Sequence, residues 1–442
     1  MKHTFSHTAK WRRYQAQLQR TARKNKFFKN LPPLILISIC AFIVLMVVVW
    51  TSFWISERGS QAGQKPPPEK KIDAPPPKLS RNEIPDLLED VAEDSALLSD
   101  VFVCEKNGEQ YTIRTTLNTK LQKYIRRLLK RARTLQSAVV VLNSVDGRVI
   151  AMADRDSNGN GTNLSLKADY PAASLFKIVA AAAVLETSGY SPDTTLFFRG
   201  RRHTLYKSQL KQVKDRWTTK TTLRKAFALS NNSVFGKLGI YVLGQKVLNE
   251  YAEKFAFNRS IPFDLPLAVS HITVPSDEFG LAEISSGFNK KTLISPLHAS
   301  LLASVAANRG KMPIPWLVDT IQDETDQVLY HADTVVLNQP LNGKAAADLT
   351  ALMQSAARSG TSRSTFRKLR RKKIFKDLKL GAKTGTINDK RDRFKYDWIT
   401  AFASAPDGSD GIAIAVLGVH GKILGTRSAE MARAIIDYYF RI

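Results

Sequence analysis

Three groups of residues in this 442-residue chain combine types and spacings that can do chemistry. In Ser174-Leu175-Phe176-Lys177 a hydroxyl precedes an amine by three positions. Positions i and i+3 share a helix face, so Lys177 falls beside Ser174. Burial disfavours an ammonium ion, and a neutral Lys177 can take the proton of a serine, which a solvated lysine does poorly at neutral pH. Ser174 then acts as a nucleophile. Ser230-Asn231-Asn232 adds a second hydroxyl and an amide, although alone it reads equally well as a turn or a helix cap. Lys383-Thr384-Gly385-Thr386 lies in a strand-like stretch, where alternation puts Lys383 and Gly385 on one face and Thr384 and Thr386 on the other. A glycine inside a strand lets a ligand or another backbone approach, or marks a bulge on a solvent-facing edge. The last group is not a phosphate-binding loop, because Ala382 stands where a glycine is needed before the lysine.

Spacing alone is a weak signal, as Ser208-Gln209-Leu210-Lys211 repeats the first pattern. Context separates the two, because Ser174 opens the run 175–186, which is apolar all round and therefore reads as a buried helix. A helical run over 223–229 leads into Ser230. Strands are expected over 380–387, 398–404 and 412–419, the last two separated by Pro406-Asp407-Gly408. Two more, over 138–142 and 148–152, are joined through Asp146-Gly147, a dipeptide suited to a tight hairpin. Before them Leu121, Tyr124, Ile125, Leu128, Leu129 and Ala132 recur at helical spacing, with Lys and Arg on the other face. A helix over 427–439 ends the sequence. The stretch 170–360 reads mainly helical. Strands at both ends with helices between predict an α+β fold: one sheet assembled from both ends, and a cleft beside a helical insertion.

Jointly, and in this order, the three groups resemble the Ser-x-x-Lys, Ser-x-Asn and Lys-Thr-Gly motifs of the penicillin-binding protein and serine β-lactamase superfamily. Thr115-Thr116-Leu117-Asn118, Asp146-Gly147-Arg148-Val149-Ile150-Ala151-Met152, Ile294-Ser295-Pro296-Leu297-His298-Ala299, Ala306-Ala307-Asn308-Arg309-Gly310, Gly360-Thr361-Ser362-Arg363 and Asp397-Trp398 are similar to that family as well. Two positions depart from it: Ala173 precedes the serine where many members have Gly, and Ile178 follows the lysine where many have Pro. The resemblance implies a transpeptidase fold, an antiparallel sheet flanked by helices plus an all-helical subdomain. It implies a serine D,D-transpeptidase that acts on the D-Ala-D-Ala end of peptidoglycan stem peptides and is acylated by β-lactams. In that scheme Ser174 attacks, Lys177 is its base and Ser230 relays a proton to the leaving amine. Asn232 holds the peptide, Lys383 orients Ser230, and Thr384, Gly385 and Thr386 line the substrate's carboxylate site. No cofactor and no metal are implied. Four alternatives stay open: a D,D-carboxypeptidase, a class D-like β-lactamase, a β-lactam sensor and a catalytically silent wall scaffold. Asn232 argues against the class D-like readings, whose second motif usually ends in Val.

Hydrophobic residues make up 43% of the chain and its formal net charge is +27. No zinc-finger spacing, RNA-recognition aromatics or helix-turn-helix pattern accompanies that charge, so nucleic acid is not the expected partner. Residues 1–30 hold nine Lys or Arg and no acid, and an uncharged apolar run over 34–55 follows. That predicts a basic cytoplasmic tail over 1–33, one transmembrane helix over 34–55, and an outward-facing (periplasmic) remainder. Residues 56–110, rich in Pro, read as a stalk and short pedestal, and 111–442 as the transpeptidase domain. Too few residues separate the apolar run from Thr115 for a glycosyltransferase, so a separate one, or a wall-synthesis complex, is the expected partner. Cys40 lies in the apolar run, so a disulfide with Cys104 is not expected. The cluster 367–373 reads as a solvated charged loop or a contact for anionic glycan, teichoic polymer or membrane.

Overall fold

The five strands expected from the two ends of the sequence form a single antiparallel sheet. A computed structural model describes residues 79–89, 99–159, 163–389, 391–405 and 411–441, together with Met46. Strands β1 (Gln136–Asn143) and β2 (Val149–Asp156) come from the first half of the chain, and β3 (Lys379–Asn388), β4 (Lys395–Ser404) and β5 (Gly411–His420) from its end. Their spatial order is β3-β4-β5-β1-β2. The Asp146-Gly147 turn joins β1 to β2, with Gly147 at φ 83°. Every residue of β5 is buried, which requires cover on both faces of the sheet. β3 is an edge strand whose register with β4 runs unbroken from Lys379↔Ser404 to Asn388↔Lys395, so Gly385 marks no bulge.

The helices around the sheet are α1 (Thr119–Arg131), α2 (Lys177–Thr187), α3 (Leu223–Ala228), α4 (Asn232–Leu238) and α5 (Glu278–Ser286). The series continues with α6 (Pro296–Ala307), α7 (Gly343–Ser359), α8 (Arg363–Arg370) and α9 (Ser428–Tyr439). In α1 the apolar stripe Leu121, Ile125 and Leu129 is buried, and Asn118 caps the helix by accepting from the Leu121 amide at 3.0 Å. α1 and α9 pack on one face of the sheet and on each other, and α6 and α7 do so on the other. All but one of the twelve residues of α6 are buried. Helices α2 to α5 lie in the insertion together with the helix Gly244–Lys254, which packs on α2, and α2 packs against α7.

The insertion is not all-helical. Strand pairs Thr195–Arg199 with Thr218–Thr222, and Tyr170–Pro171 with Leu293–Ile294, lie within it. Thr218–Thr222 is β-branched at four of five positions, so its backbone favours extension over the helix read for that region. Val101–Lys106 and Glu109–Thr115 form a hairpin that joins Val318–Gln322 and Val328–His331 in a four-stranded sheet, and the compact unit spans Pro77–Phe440. The turn dipeptide Asn107-Gly108, which adopts φ 56° and 81°, is the sequence mark of the hairpin, though not of its partners. The apolar run 34–55, apart from Met46, lies outside the described residues, as do most of the stalk and the Pro406-Asp407-Gly408 turn. Among the described residues no helix is long and apolar enough to cross a membrane.

One buried carboxylate ties α9 to the sheet. Asp397 on β4 accepts from Arg427 Nη2 at 2.8 Å, Arg427 Nε at 3.1 Å and the Ser428 amide at 2.7 Å. Burial pushes its pKa up, but hydrogen bonds from Arg427 and Ser428, with the His420 ring nitrogen 3.8 Å away, outweigh that and hold it at about 2. A carboxyl held below its ordinary value stabilises the fold above about pH 4 and loses that contribution as pH falls through 2. The shift corresponds to about 2 kcal/mol. We expect Asp397→Asn to lower stability by about that much at pH 7 and to flatten the loss between pH 4 and 2, checked by denaturant unfolding across that range.

Candidate active site

The site lies where the insertion meets the edge strand. Ser174 sits in a 3-10 turn, Ala173–Phe176, that leads into α2 rather than in the α-helix itself. A 3-10 turn repeats every three residues, which sets positions 174 and 177 above one another more closely than an α-helix would. Ala173 holds φ 49°, a left-handed conformation that costs a non-glycine residue about 1 kcal/mol. Two glycines hold this turn. A methyl on Gly385 of β3 would stand 3.3 Å from Ala173 Cβ and 3.4 Å from the Ser174 amide nitrogen, and one on Gly287 would overlap the Ala173 carbonyl. Gly287 ends α5 at φ 62°. Sequence reading missed it; the only signal was a glycine just past a helix.

Lys177 is fully buried, and its Nζ has three neighbours. They are Ser174 Oγ at 2.9 Å, Asn232 Oδ1 at 2.7 Å and the Ser286 carbonyl at the end of α5. An amide oxygen and a carbonyl can only accept, so they take two N–H bonds and leave the third direction for the serine hydroxyl. A neutral amine has two N–H groups and one lone pair, which is what this set of partners accommodates. Burial first, and then the Lys383 charge, push the Lys177 pKa well below its ordinary value. Asn232 in turn is fixed by donating Nδ2 to the His203 carbonyl at 3.0 Å.

Ser230 connects α3 to α4 at φ 54°, and Asn231 caps α4 by accepting from the Val234 amide at 3.1 Å. Both readings of this motif therefore hold: Asn231 is the cap, and its neighbours Ser230 and Asn232 face the site. Lys383 on β3 is fully buried, donates to Ser230 Oγ at 3.0 Å and to the Thr384 carbonyl at 2.7 Å, and is pushed down to about 7 by burial. Alternation holds along β3, with Lys383 and Gly385 buried, Thr384 half-buried and Thr386 exposed. Thr384 Oγ1 lies 2.6 Å from Thr361 Oγ1, which adds Thr361 to the wall of the groove. Ser208 and Lys211 of the repeated pattern are exposed, and only Gln209 and Leu210 are buried there. A hydroxyl beside a low-pKa amine, with a second Ser–Lys pair across an open strand edge, can carry acyl transfer through a serine ester. Among the described residues no cluster of His, Cys, Asp or Glu is placed to hold a metal.

Fold and site together are those of a penicillin-binding transpeptidase, and the chain belongs to the penicillin binding protein transpeptidase domain family, which matches residues 137–437. Among curated relatives, it is 28% identical over 293 residues to the peptidoglycan D,D-transpeptidase PbpA of Mycobacterium tuberculosis, covering 62% of this chain and 56% of that protein. It is 23% identical over 348 residues to stage V sporulation protein D of Bacillus subtilis, covering 74% of this chain and 52% of that protein. The chain thus spans about half the length of these relatives. The crystal structure of PBPA from Mycobacterium tuberculosis superposes with a TM-score of 0.60 at 23% identity, covering 74% of this chain and 80% of that one. Its imipenem acyl-enzyme complex gives 0.61 at 23% identity, with coverages of 74% and 79%. These likenesses bear on the fold.

The two glycines give a graded expectation. Gly385→Ala should fold, because its neighbours need move only a few tenths of an ångström, yet slow acylation of Ser174 about tenfold by shifting the turn. Gly287→Ala should lose roughly 3 kcal/mol or more of stability through a backbone overlap at positive φ. Thermal melts and penicillin-labelling rates on the two variants check both.

Proposed function

We propose that this chain is a membrane-anchored serine D,D-transpeptidase that cross-links peptidoglycan stem peptides. The observation that carries the proposal is the set of partners around Lys177 Nζ, two obligate acceptors and the Ser174 hydroxyl. Lys177 takes the Ser174 proton as the serine oxygen attacks the penultimate D-Ala carbonyl. The amide groups of Ser174 and Thr386 receive the developing oxyanion. Ser230, oriented by Lys383, passes a proton to the departing amine, and terminal D-Ala leaves. The amine of a second stem then attacks the ester, releasing Ser174 and forming the cross-link. Asn232 holds the peptide backbone, and Thr384, Gly385 and Thr386 line the carboxylate site. β-Lactams enter the same first step and remain on Ser174. The run 34–55 serves as the membrane helix with 1–33 on the cytoplasmic side, and the catalytic unit works outside with a separate glycosyltransferase that supplies the strands.

The discriminating experiment is labelling with a fluorescent penicillin. Persistent label on Ser174, lost in Ser174→Ala, supports the transpeptidase reading, and rapid release of hydrolysed drug would replace it with a β-lactamase. The base is tested by pH. Because Lys177 works unprotonated and burial with the Lys383 charge depresses its pKa, acylation should already be high at pH values where a solvated lysine is still protonated, and should fall at lower pH as Lys177 takes up its proton. Lys177→Arg keeps a charge that cannot be shed, so its acylation rate should drop by roughly a thousandfold at every pH, whereas Lys211→Arg should match the parent. Acylation rates measured from pH 5 to 10 decide this, and an active Lys177→Arg enzyme would remove Lys177 from the role.

A further inference from the structure

The outer helical layer presents a broad cationic face that acyl transfer does not use. α1 has the sequence TKLQKYIRRLLKR, with six cations and no acid. α8, RSTFRKLR, has four cations and no acid, and it carries Arg367, Lys368 and Arg370 of the 367–373 cluster, whose first half is helical. Both pack against α9, and α8 packs against α7 as well. The Tyr124 and Tyr438 rings stack at 4.1 Å between α1 and α9, and Thr365 Oγ1 of α8 donates to Glu430 Oε1 of α9 at 3.2 Å. The acids of α9 are already paired, Glu430 with Arg433 at 3.1 Å and Asp437 with Lys372 at 2.6 Å.

Among the described residues none of the ten cations on α1 and α8 forms an ion pair. In α8 the buried stripe Thr365, Phe366 and Leu369 fixes the helix orientation, which leaves Arg363, Arg367 and Arg371 exposed at i, i+4 and i+8. Like charges at that spacing oppose the helix that carries them. An external anion would remove the opposition. At the end of α9, Tyr438, Tyr439 and Phe440 are each half-buried, and the last two rings meet edge-to-face at 5.0 Å. Tyrosines flanked by cations are the side chains that sit well at a bilayer's headgroup level, whereas a linear polyanion needs one row or groove and no aromatic ridge.

We infer that the α1–α9–α8 face docks on a bilayer surface that carries anionic lipids. The inference is independent of the acyl-transfer reading but rests on the proposal that the run 34–55 anchors the chain in a membrane. Docking would lay the catalytic unit along the membrane and hold the orientation of the groove at β3 relative to it.

The test reads the lysines directly. The full chain is reconstituted in nanodiscs of phosphatidylcholine, alone or with about 30% phosphatidylglycerol, and acetylated with a water-soluble active ester. Lys120, Lys123, Lys130 and Lys368 should react roughly threefold more slowly in the anionic discs, and 0.5 M salt, at about a 4 Å screening length, should abolish the difference. Lys220 and Lys225, exposed on the insertion, should react equally in both. In the variant R363Q/R367Q/R371Q, whose changes are all on exposed positions, the slowing at Lys120 and Lys123 should largely disappear. Equal rates in the two kinds of disc overturn the inference. It is also overturned if soluble poly(glycerol phosphate), added to neutral discs, slows the same lysines as strongly as anionic lipid does, which would assign the face to a polymer.

Discussion

Keeping two lysine amines buried in one cleft is the constraint on which the rest of the site depends. Lys177 and Lys383 are both fully buried, and among the described residues neither forms an ion pair. A carboxylate beside either would favour the ammonium form and remove its use as a base. The partners are neutral instead: serine hydroxyls, an amide oxygen and backbone carbonyls. The Phe235 ring centroid lies 5.7 Å from Lys177 Nζ and that of Phe227 5.7 Å from Lys383 Nζ, so an aromatic ring stands beside each amine. The environment therefore stabilises neutral amines and disfavours charged ones.

That constraint sets the architecture around it. Burial of Lys177 requires a helix apolar on all sides, and α2 is one, with nine buried residues out of eleven. Delivering acceptors to its Nζ requires two separate helix ends, the start of α4 for Asn232 and the end of α5 for Ser286. Presenting Lys383 from the opposite side requires a strand with a free edge, since a strand paired on both sides would close the groove; β3 has one. Left-handed residues at Ala173 and Ser230 turn each serine into the space so made. Strain of this kind persists only where the surroundings overdetermine it, as the Gly287 and Gly385 contacts do for Ala173.

On the far side of the sheet the demands differ. Asp397 keeps its charge because it faces a bidentate arginine and a helix-start amide. Its Oδ1 is also 3.5 Å from Thr386 Oγ1, so the ion pair that anchors α9 reaches the strand that lines the groove. The sheet thus has buried amines of depressed pKa beside its edge strand and, on the face covered by α1 and α9, an ion pair that stays charged.

By itself the sequence determined the chemistry-bearing residues and the elements that carry them. Ser174, Lys177, Ser230, Asn232 and Lys383 were legible because residue type, spacing and order are properties of the chain, and because the burial of 175–186 shows in its composition. The β-rich runs 380–387, 398–404 and 412–419 likewise specified strands, and alternation gave faces to Lys383–Thr386. The tertiary structure alone decided what is set by contacts between segments distant in sequence. No local pattern could show that the Ser286 carbonyl completes the shell around Lys177, that Gly287 wedges the Ala173 carbonyl, or that Thr361 meets Thr384. Each joins positions from 23 to more than 100 residues apart, and backbone carbonyls and close approaches leave no residue-type signature. The second sheet went unread for the same reason. The Asn107-Gly108 hairpin acquires its partners only when Val318–Gln322 returns from the far end of the insertion.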